Sequence, residues 1–179
     1  AVGDFDGDGR SDLLWYAPGG HRDYIASGRA DATFESRAVE VNGTYLPVVA
    51  DLDGDERDDI VWYAPGAPAD FRWRSTGDRA SFATTAEVLP DLYRPIVGDL
   101  DGDGATEIFF YGAGSHDDVL LDGTARRTVP VSGRYEPVTG DVDGDGRVDI
   151  LWYGRGPATD HLWLGTDDAT APATVEPTA

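Results

Sequence analysis

Sixteen of the 34 acidic residues stand at alternate positions of four short loops built on one pattern, D-x-D-G-D-G-x-x-D. The loop carboxylates are Asp4, Asp6, Asp8 and Asp12; Asp51, Asp53, Asp55 and Asp59; Asp99, Asp101, Asp103 and Glu107; and Asp141, Asp143, Asp145 and Asp149. Position 7 of each loop adds a backbone carbonyl, from Arg10, Arg57, Ala105 and Arg147. Like charges crowded in this way repel and call for a counter-charge. Hard oxygen donors at alternate positions, with glycine permitting a sharp turn, suit Ca²⁺, which takes about six to eight oxygens, whereas Mg²⁺ keeps more water. Up to four ions, one per loop, are expected. The competing reading is four Asp/Gly turns chosen for conformation alone; repetition in a fixed phase favours the metal. An EF-hand is excluded, because its position 12 carries a bidentate Glu and here holds Trp15, Trp62, Phe110 and Trp152.

The loops begin at residues 4, 51, 99 and 141, and intervals of 40 to 50 residues mark a propeller or solenoid array. Other landmarks keep the same phase. Tyr16, Tyr63, Tyr111 and Tyr153 close the segment after each loop, and Asp23, Asp70, Asp118 and Asp160 follow seven residues later. Tyr-x-Pro stands ahead of the last three loops, at Tyr45, Tyr93 and Tyr135. Each unit divides into four short strands, A to D, separated by turn residues, with the acidic loop between A and B. No 3.6-residue apolar period persists, so helix is not expected. The fold class is all-β: a β-propeller of four four-stranded antiparallel blades. It is expected to form one domain over 1–179, with repeats at about 1–43, 44–91, 92–133 and 134–179. Trp15, Trp62, Trp73, Trp152 and Trp163 recur inside strands and are assigned to the packing between blades.

Composition removes several functions. The net charge is −20 and all 14 basic residues are Arg, which opposes binding to nucleic acid or anionic lipid. There is no cysteine, hence no disulfide or thiol chemistry. No run approaches 18 apolar residues, so no membrane insertion is expected. Methionine is absent even at position 1, and we read the chain as a mature or excised segment.

No catalytic constellation is identifiable. His21, His116 and His161 lack metal-ligand spacing, and no G-x-S-x-G elbow occurs. Antiparallel order puts the A–B and C–D connections at one end of each sheet and the B–C and D–A connections at the other. That second end collects Tyr45, Tyr93, Tyr135, Arg94 and Arg134, with His21 and His116 in equivalent B–C loops. Tyr and Arg are enriched in binding hot spots, so these seven residues are the candidate ligand site. The structural alternative is that each Tyr-x-Pro wedges between neighbouring blades.

The repeats, with "LLWYAPG" and "IVWYAPG" after the loops, resemble FG-GAP/VCBS repeats, the calcium-loop blades of integrin α-subunits and of many secreted microbial propellers. The resemblance spans essentially the whole chain and carries the loop carboxylates over as calcium ligands. Two positions depart from it: Glu56 replaces a loop glycine, and Glu107 replaces the ninth aspartate. It implies an extracellular, calcium-stabilised recognition module, lectin-like or adhesion-type, for a glycan or extracellular protein ligand. The alternative is an accessory or catalytic domain of a secreted polysaccharide-active enzyme. Four repeats are expected to close as a single chain in preference to self-assembly.

Overall fold

The computed structural model describes residues 1–66, 69–114 and 117–175. Among them all regular structure is β, in four antiparallel four-stranded sheets that keep chain order. The first sheet holds β1 (Val2–Gly3), β2 (Asp12–Trp15), β3 (Asp23–Gly28) and β4 (Phe34–Val39). The second holds β5 (Leu46–Ala50), β6 (Asp59–Tyr63), β7 (Asp70–Ser75) and β8 (Phe82–Glu87). The third holds β9 (Arg94–Gly98), β10 (Glu107–Tyr111), β11 (Val119–Asp122) and β12 (Ala125–Thr128). The fourth holds β13 (Tyr135–Gly140), β14 (Asp149–Gly154), β15 (His161–Leu164) and β16 (Ala173–Val175). The chain divides into two compact units, residues 1–51 with 55–92 and residues 52–54 with 93–179.

Register follows from the loops. In every sheet the ninth loop residue pairs across the ladder with the residue just before the loop: Asp12 with Gly3, Asp59 with Ala50, Glu107 with Gly98, and Asp149 with Gly140. Each acidic loop is therefore the connection of an antiparallel hairpin. The second strands β6 and β10 are buried along their whole length. Both faces are covered, which explains their continuous apolar sequences. The fourth strands are largely solvated edges, matching their polar sequences.

Alternation along a strand sends successive side chains to opposite faces, and this builds one interface twice. In the first unit, Leu14 and Phe5 join Ile60, Trp62 and Trp73 of the second sheet, and the Tyr16 ring meets Trp62 edge-on at 5.0 Å. In the second unit, Phe109 and Leu100 join Ile150 and Trp152, with Tyr111 4.9 Å from Trp152. The indole pairs Trp62–Trp73 and Trp152–Trp163 both lie 5.1 Å apart at near-perpendicular angles. Trp15 departs from the packing expected of it. It is 64% exposed, because the face of the first sheet that carries it is not covered by another sheet of its own unit.

Candidate functional site

The acidic loops are organised by their first carboxylate. Asp4 accepts N–H groups from Gly7 (2.8 Å), Asp8 (3.2 Å) and Gly9 (2.7 Å). Asp51, Asp99 and Asp141 accept equivalent bonds from their own loops. Wrapping backbone around one carboxylate needs left-handed residues at positions 4 and 6. Glycines take the sixth position at φ 78° (Gly9), 91° (Gly104) and 92° (Gly146), and Glu56 is held at φ 65° in the second loop. At Glu56, where a loop glycine is replaced, a side chain therefore sits where Cβ sterics cost roughly 1–2 kcal/mol.

Three carboxylates in each loop offer oxygens within 4.8 Å of one another. They are Asp4, Asp6 and Asp8; Asp51, Asp53 and Asp55; Asp99, Asp101 and Glu107; and Asp141, Asp143 and Asp149. These clusters could hold a metal ion, and the donor set, all hard oxygen, fits an alkaline-earth cation. Two unsatisfied atoms support that fit. Asp6 Oδ1 and Glu107 Oε1 are buried without a hydrogen-bond partner, a state that costs the full desolvation of the group unless something binds it. Arginine supplies part of the counter-charge. Arg10 pairs with Asp8, Arg57 with Asp55, and Arg147 with Asp145 at 2.7 Å, whereas the third loop has Ala105 at that position. Arg79, from the third connection of the second sheet, reaches Asp6 at 3.2 Å and Glu35 at 2.7 Å.

The ninth residues are buried and also bind backbone. Asp12 accepts from Phe5 N (3.1 Å) and Gly28 N (2.8 Å), and Asp149 from Val142 N (2.6 Å) and Gly165 N (2.9 Å). Burial raises the Asp12 carboxyl above its ordinary range despite those two bonds. Glu107 keeps the bond from Leu100 N (2.7 Å), but its longer arm leaves Oε1 unpaired. Desolvation, reinforced by the neighbouring Asp101, Asp99 and Asp103, pushes it up to about 8.

At the opposite end of each sheet stands a second acid, buried in the first three sheets and half-buried in the fourth, to which sequence reasoning gave phase but no role. Asp23 accepts from Ala17 N (2.8 Å) and Val41 N (3.1 Å), Asp70 from Ala64 N and Leu89 N (both 2.7 Å), and Asp118 from Gly112 N (2.6 Å) and Val131 N (2.5 Å). Asp160 receives Gly154 N at 2.7 Å. Asp23, Asp70 and Asp118 thus fasten the second connection of a sheet to the segment leaving its fourth strand. The phenols beside them act likewise: Tyr111 Oη donates to Gly133 O (3.0 Å) and accepts from Tyr135 N (2.8 Å), and Tyr16 does the same with Gly43 O and Tyr45 N at 2.9 Å each. Gly133 is needed at φ 137°, since a Cβ there would lie 2.5 Å from the Tyr135 ring.

This scaffold fixes the candidate ligand residues. Tyr45 packs edge-on against Trp62 and Phe71 of the second sheet, and Tyr135 against Trp152 and His161 of the fourth, so each ring lies on the sheet its segment leads into. Tyr93 lies against Phe110 at 6.0 Å. Arg94 and Arg155 share the carboxylate of Glu136 at 2.9 and 3.0 Å, and Arg134 is exposed nearby in sequence. His21 lines an open hollow with Arg22, Glu40 and Asn42. His116 lies outside the described residues. Among the described residues of the seven, Tyr135 joins an aromatic hollow, an open pocket of about 210 Å³ lined also by Ser132, Trp152, His161, Trp163 and Thr174. The Trp152 Nε1 beneath it is buried without a hydrogen-bond partner. A homologous hollow in the first unit is lined by Trp73, Phe82, Thr84 and Glu40. Sequence reasoning missed Trp163 and His161 here because it assigned the indoles to packing and read the histidines only for metal-ligand spacing.

With this geometry in place, comparison with known proteins gives two matches. Residues 4–62 match the FG-GAP-like repeat. That span runs from the first acidic loop through β2 to β5 and the second loop into β6, short of its last residue. The resemblance read from the loop motif therefore holds over this stretch. No curated protein sequence matches the chain significantly. Among solved structures, 98% of the chain superposes with a TM-score of 0.70 and 19% identity on an Agrocybe aegerita lectin, described as recognising non-reducing terminal N-acetylglucosamine. The chain spans about half, 51%, of that lectin's length. At this identity the likeness is one of fold.

Proposed function

We propose that this chain is an extracellular, calcium-stabilised recognition module that binds glycans. The observation that carries the reading is the pocket of Tyr135, Trp152, His161 and Trp163 with Ser132 and Thr174 at its margin. A sugar ring offers an apolar C–H face to stack on aromatic rings, and hydroxyls to pair with the hydroxyl groups of Ser132 and Thr174. Sites of this kind are mostly apolar with a few placed polar groups. The lectin fold neighbour, with its N-acetylglucosamine specificity, supports a glycan over a protein ligand.

In this reading each loop holds one Ca²⁺ through its carboxylates and the carbonyl of position 7. The ion would supply fixed positive charge that neutralises the loop acids and takes up the unpaired oxygens of Asp6 and Glu107. Its role is structural: the loops close the hairpins whose far ends carry the pocket. Extracellular location follows from the millimolar calcium available there to modest sites.

A glycan array on the calcium-loaded chain, followed by titration calorimetry of the best hit, tests this. Trp163→Ala should abolish binding while calcium content stays close to wild type; loss of its packing on Trp152 and Phe109 should lower the melting temperature, so binding is measured well below the variant's own transition. Full binding by Trp163→Ala and by Tyr135→Ala together would move the site elsewhere. An empty array would refute the glycan reading.

A further inference from the structure

The interface between sheets is made from two unlike faces. One presents an aromatic with an aliphatic residue two positions earlier: Ile60 and Trp62 in the first unit, Ile150 and Trp152 in the second, all at most 3% exposed. The other presents the intervening positions: Leu14 with Tyr16, and Phe109 with Tyr111. Both copies of this interface are buried, one in each unit.

One further example of each face is left open. On the first sheet, Leu13 and Trp15 occupy the positions of Ile60 and Trp62, and Val2 pairs with Leu13 on the same face. Trp15 is 64% and Val2 57% exposed. On the fourth sheet, Leu151 and Tyr153 occupy the positions of Phe109 and Tyr111, with Val138 paired to Leu151. Tyr153 is 47% and Val138 57% exposed. Their counterparts Tyr63 and Tyr111 are at most 2% exposed. Large apolar side chains grouped on an exposed face are the kind of surface that marks an interaction site.

We propose that these two faces are the halves of a head-to-tail interface, and that the occupant of each is a second copy of this chain. The argument is continuity with the interface already formed twice: the Tyr153 face of one copy meets the Trp15 face of another as Tyr16 meets Trp62 and Tyr111 meets Trp152. The faces are unlike, so the contact is heterologous, the type that generates rings when its rotation closes. This differs from the single closed chain expected from sequence, and the two exposed faces are the reason. The inference does not depend on the glycan reading.

Light scattering across a concentration series in calcium tests it. The expected mass rises from 19.2 kDa to twice that value or a higher multiple. Trp15→Ser and Tyr153→Ser should each weaken association by about 30-fold or more, as truncating a buried aromatic anchor does. Mixing the two variants in equal amounts should recover part of the association, since each retains the face the other lacks; a symmetric contact would not recover. A mass of 19.2 kDa at every concentration overturns the proposal, as does undiminished association in both variants. Should a variant fail to fold, the wild type still decides. Acrylamide quenching of its fluorescence, corrected with Trp15→Phe, must fall as association proceeds, and unchanged quenching of Trp15 overturns the proposal too.

Discussion

Glu107 offers the sharpest test of what the acidic loops are for. Its carboxyl is fully buried, one oxygen bonds Leu100 N and the other has no partner. Desolvation raises it from 4.5 to about 8 in the absence of metal. Below about pH 4.5 both folded and unfolded chains carry the proton, and the group costs nothing. Between about pH 4.5 and 8 the unfolded chain releases the proton while the folded chain keeps it, so stability falls as pH rises. A shift of about 3.5 units at ~1.36 kcal/mol per unit sets a ceiling near 5 kcal/mol. Glu107→Gln carries no charge at any pH and removes the dependence. Urea titrations in chelator, from about pH 5 to about pH 9, should therefore show the variant gaining on wild type by several kcal/mol towards the alkaline end. Calcium should reverse the order, since a cation favours the ionised carboxylate, and its binding near neutral pH should release a proton detectable by calorimetry in buffers of different ionisation heat. A stability difference between wild type and Glu107→Gln that is flat across the whole range would refute the reasoning.

Other expectations concern the loops and the scaffold between the two ends. Chelation should lower the melting temperature, and Asp143→Ala should remove one bound ion from the count by mass spectrometry under native conditions; an identical melting curve in excess chelator would contradict calcium coupling. Tyr111→Phe leaves Tyr135 N and Gly133 O without their shared partner and should cost about 2–4 kcal/mol in chemical denaturation. Glu56→Gly relieves a left-handed side chain at some cost in unfolded-state entropy, and a net gain of about 0.5–1 kcal/mol is expected from the same denaturation assay.

The sequence by itself determined whatever is local. Four acidic loops in phase, four strands to a repeat and the absence of helix were legible because turn chemistry and period-2 alternation act over a few residues. The replacement of a loop glycine by Glu56 was legible for the same reason, though its left-handed φ came from the structure. Tertiary structure decided the rest. Trp15 and Trp62 sit in nearly identical segments, "LLWYA" and "IVWYA", yet one is 64% exposed and the other fully buried, because burial depends on which sheet lies against that face. The orphaned oxygen of Glu107 depends on one methylene more of reach in a site whose donors come from distant backbone. Asp23, Asp70, Asp118 and Asp160 had a visible period, but their amide partners lie as many as 19 residues away. The aromatic pocket joins residues from 130 to 174. Its members meet only when the fourth sheet folds against the segment before it, and a linear pattern does not encode that distance.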